Sequence, residues 1–288
     1  MKNTYIIAEV GPNHNGSFEM ASNYVDALSG IGVDAIKFQL VNPDLLFSEN
    51  AIFAEYQKNR NSYNSPKNMA KSHQLSHEDH IKIYKKCLEK NIDYLCTPFD
   101  LSSLKFLNEN FDLKFFKIAS GEIFSVDMLE YISNNSKPII LSTGMATFEE
   151  IEKTIEILNL NTKKEIIILH CISNYPTKIE NVNLNVMKKL QKIFNYPIGF
   201  SDHTEDIFSS MIAVSMGAVV IEKHVTFDKN LDGPDHKASS TIEEFEELIK
   251  QIRKIEIVRG SEDNKISNEE KEIANVARKS IVANNNID

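Results

Sequence analysis

The chain has 288 residues, 42% hydrophobic and 25% charged, a globular composition that excludes a disordered polymer. Acidic residues outnumber basic ones 41 to 32, a net charge of −9, which speaks against a nucleic-acid partner and requires any anionic ligand to be met by lysines gathered in one pocket. No run approaches the roughly 20 apolar residues of a membrane span, the three cysteines (Cys87, Cys96, Cys171) lack C-x-x-C spacing, and a strand-like run rather than a signal peptide opens the chain, so a cytoplasmic protein with reduced thiols is expected.

Eight short apolar runs recur along the chain: TYIIAEV (4–10), DAIKFQL (34–40), IDYLCT (92–97), KFFKIAS (114–120), KPIILST (137–143), EIIILHC (165–171), YPIGFS (196–201) and AVVIEKH (218–224). Their near-continuous hydrophobicity suits parallel strands covered on both faces. Amphipathic stretches lie between them, as at Glu78 to Lys90 and Asp206 to Met216. Thr147 with Glu150 and Thr241 with Glu244 have capping-box spacing. Strands alternating with helices over this length predict an α/β fold, a (β/α)8 TIM barrel spanning residues 1–260. A doubly wound open sheet is the alternative architecture, but GPNHNG after the first strand lacks dinucleotide-turn spacing. Asn42 to Gln74 is long and rich in Asn and Ser, the signature of a lid or a substrate wall. Residues 261–288 read as a polar linker.

Barrel chemistry sits at the carboxyl ends of the strands. Those ends offer Glu9; Lys37 and Gln39; Thr97; Lys117, Ser120 and Glu122; Ser142 and Thr143; Ser173, Asn174 and Tyr175; Ser201, Asp202 and His203; and Glu222 and His224. A charge inside an apolar strand is expensive on the helix-covered face, so Lys37, Lys117 and Glu222 are expected to point into the mouth. The bland alternative is a buried ion pair that only fixes the core. His203 and His224 end neighbouring strands, and strand one brings Glu9 beside them, so the imidazoles can meet at one divalent ion. Asp235 adds a further oxygen, and its neighbour His236 competes as a ligand. The remaining histidines, His14, His73, His77, His80 and His170, have no such pairing and are read as background. Lys37 and Lys117, with the hydroxyls of Thr97, Ser120, Ser142 and Ser201, suit a phosphate and a carboxylate held together.

The ordered motifs AEVGPNHNG, IKFQ, CTPFD, FKIASGE, LSTGMAT, CISNYPT, GFSDHT, IEKHVTF and GPDH, from Tyr5 to Asp235, resemble the N-acetylneuraminate (sialic acid) synthase family, which includes legionaminic and pseudaminic acid synthases. The resemblance implies a homodimeric transferase that condenses phosphoenolpyruvate with N-acetylmannosamine or a diacetamido hexose. The products are phosphate and a nine-carbon 2-keto sugar acid. It implies phosphoenolpyruvate contacts from Lys37, Thr97, Lys117, Ser120, Ser142, Ser201 and the Ser173–Asn174 turn. Gln39, Tyr175 and Asp235 would face the sugar, and Glu122 would move protons. Mn2+, or alternatively Mg2+, would sit on His203 and His224, with Glu9 and Asp235 touching its waters. The family carries a C-terminal antifreeze-like domain, towards which RKSIVA (278–283) reads as a linker. The SNYP turn departs from the family pattern, with Ser173 where an asparagine is common.

Two rival functions use the same residues. A class I aldolase would form a Schiff base on Lys117 and need no metal. A metabolite-binding barrel would hold the same ligands without turnover.

Overall fold

In the computed structural model, which describes residues 3–53, 63–282 and 284, eight parallel strands form the barrel. They are β1 (Tyr5–Glu9), β2 (Ala35–Leu40), β3 (Asp93–Pro98), β4 (Phe116–Ile118), β5 (Ile139–Ser142), β6 (Ile166–Cys171), β7 (Ile198–Asp202) and β8 (Val220–Thr226). Hydrogen-bonded neighbours run β3-β2-β1-β8-β7-β6-β5-β4, and β3 lies alongside β4 to complete the ring. The (β/α)8 expectation is met, and every predicted run overlaps a strand, with β3, β7 and β8 extending past their runs to Pro98, Asp202 and Thr226. Run 114–120 contributes only three strand residues, because Ser120–Glu122 turns at once into a 3-10 helix.

Helices α1 (Phe18–Ser29), α2 (Pro43–Leu46), α3 (Pro66–Ser72), α4 (His77–Glu89), α5 (Leu101–Asn110), α6 (Val126–Ser133), α7 (Phe148–Leu158), α8 (Asn185–Phe194), α9 (Phe208–Ser215), α10 (Ile242–Arg259) and α11 (Asn268–Ala277) intervene or follow. Both expected capping boxes form, at Thr147 and Glu150 before α7 and at Thr241 and Glu244 before α10. A third, Ser267 with Glu270, starts α11 inside the stretch read as a linker. The Asn42 to Gln74 segment holds α2 and α3, while its residues 54–62 lie outside the described ones.

Side chains alternate across a strand, and two buried apolar clusters record the two faces. The outer cluster joins strands to helices. The inner one, with Ile7, Ala35, Leu95, Ile140, Leu169 and Val220, plugs the barrel. Each of the larger plug residues contributes about 1.5–3 kcal/mol by burial. Gly199 belongs to the plug, since a Cβ there would lie 2.5 Å from Leu169 Cδ2 and 2.6 Å from Val220 O.

The plug ends abruptly, because the same inward positions turn polar one step later. Ile7 gives way to Glu9, Ala35 to Lys37, Leu95 to Thr97, Ile140 to Ser142, Leu169 to Cys171, Gly199 to Ser201, and Val220 to Glu222 and then His224. Parallel register sets these side by side, with Glu9 opposite both Lys37 and His224, and Ser201 opposite Glu222. Asp202 corrects the sequence reading, which grouped it with the mouth. It points into the helix layer, 3.2 Å from Lys223 Nζ, and both side chains are fully buried. Asp202 also accepts hydrogen bonds from Thr204 N, Thr204 Oγ1 and Ser210 Oγ, and Lys223 donates to Thr204 O at 2.7 Å. A charge on the outer face is thus tolerated where a partner and hydroxyls surround it.

Candidate active site

Two adjoining cavities open at the carboxyl end of the barrel. The inner one, about 330 Å3, is lined by the polar layer above the plug, including Lys37, Thr97, Lys117, Ser142, Ser201 and Glu222. The outer one, about 290 Å3, lies between that layer and the Asn42 to Gln74 segment, with Asp235 in its lining. Gln39, Phe99, Tyr175 and His224 belong to both and form the dividing wall.

In the inner cavity Lys37 Nζ lies 2.7 Å from Glu9 Oε2 and 3.6 Å from Glu222 Oε2, and it donates to Thr97 Oγ1 at 2.9 Å. Lys117 Nζ donates to Ser142 Oγ at 2.6 Å and stands 3.9 Å from Glu222 Oε1, which accepts from Ser201 Oγ at 3.1 Å. The sequence posed mouth-facing charges and a core ion pair as alternatives; these residues are both. Burial opposes the charge of Lys37, but Glu222 and Glu9 overcome it and raise the pKa. For Lys117 burial wins, and its pKa falls despite Glu222. Burial also acts against the Glu222 carboxylate, yet Lys117, Lys37 and His203 outweigh it and hold the pKa below the ordinary value. Glu9 moves the other way, raised first by burial and then by the charge of Glu222. An incoming anion therefore meets lysines that already have counter-ions, in a dry setting where added charge is strongly felt.

One corner of this cavity is built around Gly144. Its N–H donates to Ser120 Oγ at 2.9 Å and to Cys171 Sγ at 3.2 Å. A Cβ on Gly144 would lie 2.3 Å from Ser173 Oγ and 2.9 Å from Ser120 Oγ. Neither Gly144 nor Cys171 was singled out from the sequence. Inward alternation from Leu169 would have found Cys171; Gly144 carried no signal beyond its place after a strand.

The imidazoles of His203 and His224 lie 5.8 Å apart between ring centroids, with the Tyr175 ring 4.1 Å from His203 and 5.6 Å from His224. His203 Nδ1 donates to Ile172 O at 2.7 Å, leaving the Nε2 lone pair towards the site. His224 Nδ1 is buried without a hydrogen-bond partner, 3.7 Å from Asp235 Oδ2. Burial lowers the His203 pKa to about 4. Burial, followed by the charge of His203, holds His224 well below its usual value. Both are neutral at pH 7, the form a metal needs. Burial and then Glu9 push Asp235 up to about 7. Among the described residues no cluster of three or more His, Cys, Asp and Glu side chains is close enough to hold a metal. His203 and His224 on their own offer two neutral ring nitrogens, a donor type that suits a first-row divalent ion.

Not every predicted residue faces a cavity. Glu122 is held by Ser125 Oγ, one residue beyond Gly121 in the cavity wall, and burial raises its pKa. Asn174 is exposed and donates to Pro176 O at 3.3 Å. His236 is settled as structural, its ring nitrogens lying 2.8 Å from Thr226 Oγ1 and 3.2 Å from Asn15 Oδ1. His73, read as background, lines the outer cavity with Leu46, Phe47, Met69 and Ala70, so the described parts of the Asn42 to Gln74 segment form a wall. Gly11, at φ +52°, also earns its place, since a Cβ would lie 3.1–3.3 Å from Gln39, Glu9 and His224.

A parallel barrel that gathers lysines, hydroxyls and paired imidazoles at the carboxyl ends of its strands has the layout of an enzyme site. Residues 24–264 match the NeuB family, and the chain belongs to that family. It is similar to N,N'-diacetyllegionaminic acid synthase of Campylobacter jejuni, 43% identical over 100% of this chain and 86% of that protein. It is also similar to human N-acetylneuraminate-9-phosphate synthase, 32% identical over 89% of this chain and 71% of that protein. The crystal structure of an N-acetylneuraminic acid synthetase from Leptospira borgpetersenii, in complex with citrate, superposes with a TM-score of 0.85 at 31% identity, covering 95% of this chain and 91% of that one. The chain is thus a synthase-type enzyme of the sialic acid class. No helix among the described residues is long and apolar enough to cross a membrane.

Proposed function

We propose that this enzyme condenses phosphoenolpyruvate with an open-chain N-acetylated amino sugar, in the presence of a divalent metal, to give phosphate and a nine-carbon 2-keto sugar acid. The observation that carries the reading is the pair of cavities. One has two lysines and a set of hydroxyls, the other is mostly apolar with the single carboxylate of Asp235, and His224 stands between them.

Lys37 with Thr97 and Lys117 with Ser142 hold the carboxylate and phosphate, and Ser120, Ser173 and Ser201 add donors. This fixes the methylene carbon towards the dividing wall. Gln39, oriented by its 2.8 Å hydrogen bond to Glu9 Oε1, and Tyr175 position the sugar from that wall. His203 and His224 would hold the metal, Mn2+ or Mg2+, which supplies Lewis-acid polarisation of the aldehyde carbonyl. The methylene carbon bonds to the aldehyde carbon, and the aldehyde oxygen takes a proton. Asp235 in the outer cavity and Glu9 in the inner one, both beside His224, deliver that proton in this reading. Water then adds at the former enol carbon, the carbon–oxygen bond to phosphate breaks, and loss of the added water's second proton leaves the ketone. The role of Glu122 in that proton transfer requires its carboxyl to leave Ser125 and pass Gly121.

A homodimer is part of the proposal, supported by exposed apolar side chains on the segments that follow the strands, among them Phe124 and Met145 in loops, Ile179 in a 3-10 turn and Phe208 at the start of α9. A monomeric mass by light scattering of the full-length protein would remove that part. The deciding assay follows phosphate release from phosphoenolpyruvate. Release that needs both sugar and metal, and disappears in His203→Ala, establishes the synthase. Borohydride trapping of pyruvate on Lys117 would replace it with the aldolase reading.

A further inference from the structure

We propose that Asn13 and Asn15, in the loop after β1, are positioning residues that clamp the loop after β8 and so hold the Asp235 carboxylate beside His224. The inference rests on the synthase reading for what Asp235 does, and on the structure alone for what holds it in place.

Asp235 lies on neither a strand nor a long helix. It is the residue before a short 3-10 helix, His236–Ala238, in the loop after β8. A side chain carried by a loop is placed less firmly than one on a strand, so its direction depends on what fixes the backbone around it. Its carboxylate is nevertheless buried and stands 3.7 Å from His224 Nδ1.

The fixing comes from the neighbouring loop, at three points. At Asp235 itself, the carbonyl accepts from Ser239 Oγ at 2.7 Å, and Ser239 Oγ accepts from Asn13 Nδ2 at 2.8 Å. The same amide nitrogen also donates to Val225 O on β8 at 2.8 Å. Before Asp235, Asn15 Nδ2 donates to Asp232 O at 3.0 Å. After it, Asn15 Oδ1 can only accept, so His236 Nε2 donates to it at 3.2 Å, while the other ring nitrogen lies 2.8 Å from Thr226 Oγ1. Gly233 lets these parts close up, since a Cβ there would lie 2.7 Å from His236 Cδ2 and 3.1 Å from Asn15 Oδ1.

Both asparagines are poor choices for a loop that had only to be stable. Asn13 is fully buried, and its Oδ1 has no hydrogen-bond partner among the described residues. Asn15 has φ +51°, where glycine would suit the backbone better. Each side chain instead reaches across to the loop that carries Asp235. Shifting a reacting group by 1 Å can cost about a hundredfold in rate, so such a clamp matters to turnover.

Two variants test it. Asn15→Gly removes the amide at a backbone conformation that glycine adopts freely, and Ser239→Ala cuts the link from Asn13 to Asp235 O. Phosphate release by the full-length protein, with Mn2+, phosphoenolpyruvate and whichever amino sugar the parent uses, gives kcat and KM. In each variant kcat is expected to fall about tenfold to a hundredfold, with KM for phosphoenolpyruvate held within about threefold. In an Asp235→Asn background the same changes should leave kcat almost unmoved, because the group they position is gone. Equal losses in both backgrounds would show a merely structural role. That result, or an unmoved kcat in either variant, overturns the inference; if one variant fails to fold, the other decides. If the parent releases no phosphate, the synthase reading falls by itself. In that case, or where Asp235→Asn is too slow to measure, a crystal structure of Asn15→Gly decides. An Asp235 carboxylate displaced from His224 by roughly 1 Å or more sustains the clamp, and an unmoved one refutes it.

Discussion

Replacing Gly144 by alanine perturbs the anion pocket without touching a charge. The new methyl would sit 2.3 Å from Ser173 Oγ, 2.9 Å from Ser120 Oγ and 3.1 Å from Cys171 Sγ. All three atoms end short, rotatable side chains rather than backbone, so the fold absorbs the change by swinging hydroxyls aside. The pocket then loses the donors it had aimed at the phosphate. A hydrogen bond to a charged group contributes about 1.5–3 kcal/mol, so losing one to two of them costs roughly 2–5 kcal/mol of binding. That corresponds to a rise in Kd for phosphoenolpyruvate of about 30-fold to several thousand-fold. The chain contains no tryptophan, so titration calorimetry is the natural assay, with scanning calorimetry as control. Unchanged Kd with unchanged Tm would refute the assignment of this corner to the phosphate, and a collapse in Tm would show that Gly144 serves packing instead.

Lys223→Met leaves Asp202 buried without its cation and should destabilise by about 3–5 kcal/mol in denaturant melts; Asp202→Asn in the same chain should recover part of the loss, and additive effects would argue against the pair. His80 hydrogen-bonds Tyr94 Oη at 2.7 Å, and burial, followed by the charge of His77, lowers its pKa from 6.5 to about 4. The unfolded chain therefore binds the extra proton first. This stability, about 3 kcal/mol at most, is full above pH 6.5 and lost as pH falls towards 4. His80→Gln should flatten that acid limb, and an unchanged slope would show that other groups cause it. His224→Ala should abolish Mn2+ binding by calorimetry while leaving phosphoenolpyruvate affinity within a few-fold, and retained stoichiometric metal would dismiss the imidazole pair as its ligands.

The barrel was legible because its strands switch from apolar to polar at matching inward positions, and alternation turns such a list into a ring. That same rule brings Lys37, Lys117, Ser142, Ser201, Glu222 and His224 together. Reading failed where local backbone decides the direction. Asn174 belongs to a turn after β6 and faces solvent, and Glu122 is drawn to Ser125 by the 3-10 helix. Asp202 sits at outward parity, which strand alternation could have revealed. The outer wall was hidden for another reason. Leu46, Phe47 and Met69 are ordinary apolar residues, and only tertiary placement makes them the wall of a cavity.

The outward pair of Asp202 and Lys223 bears on attempts to move this chemistry elsewhere. Asp202 is the neighbour of Ser201 and His203, and Lys223 the neighbour of Glu222 and His224. Each strand thus carries site groups on its front and one half of a clasp on its back. A designer grafting only the cavity-facing residues onto another barrel would inherit the imidazoles without the clasp tying their strands together. The transferable unit is both faces of β7 and β8, with Thr204 and Ser210 included.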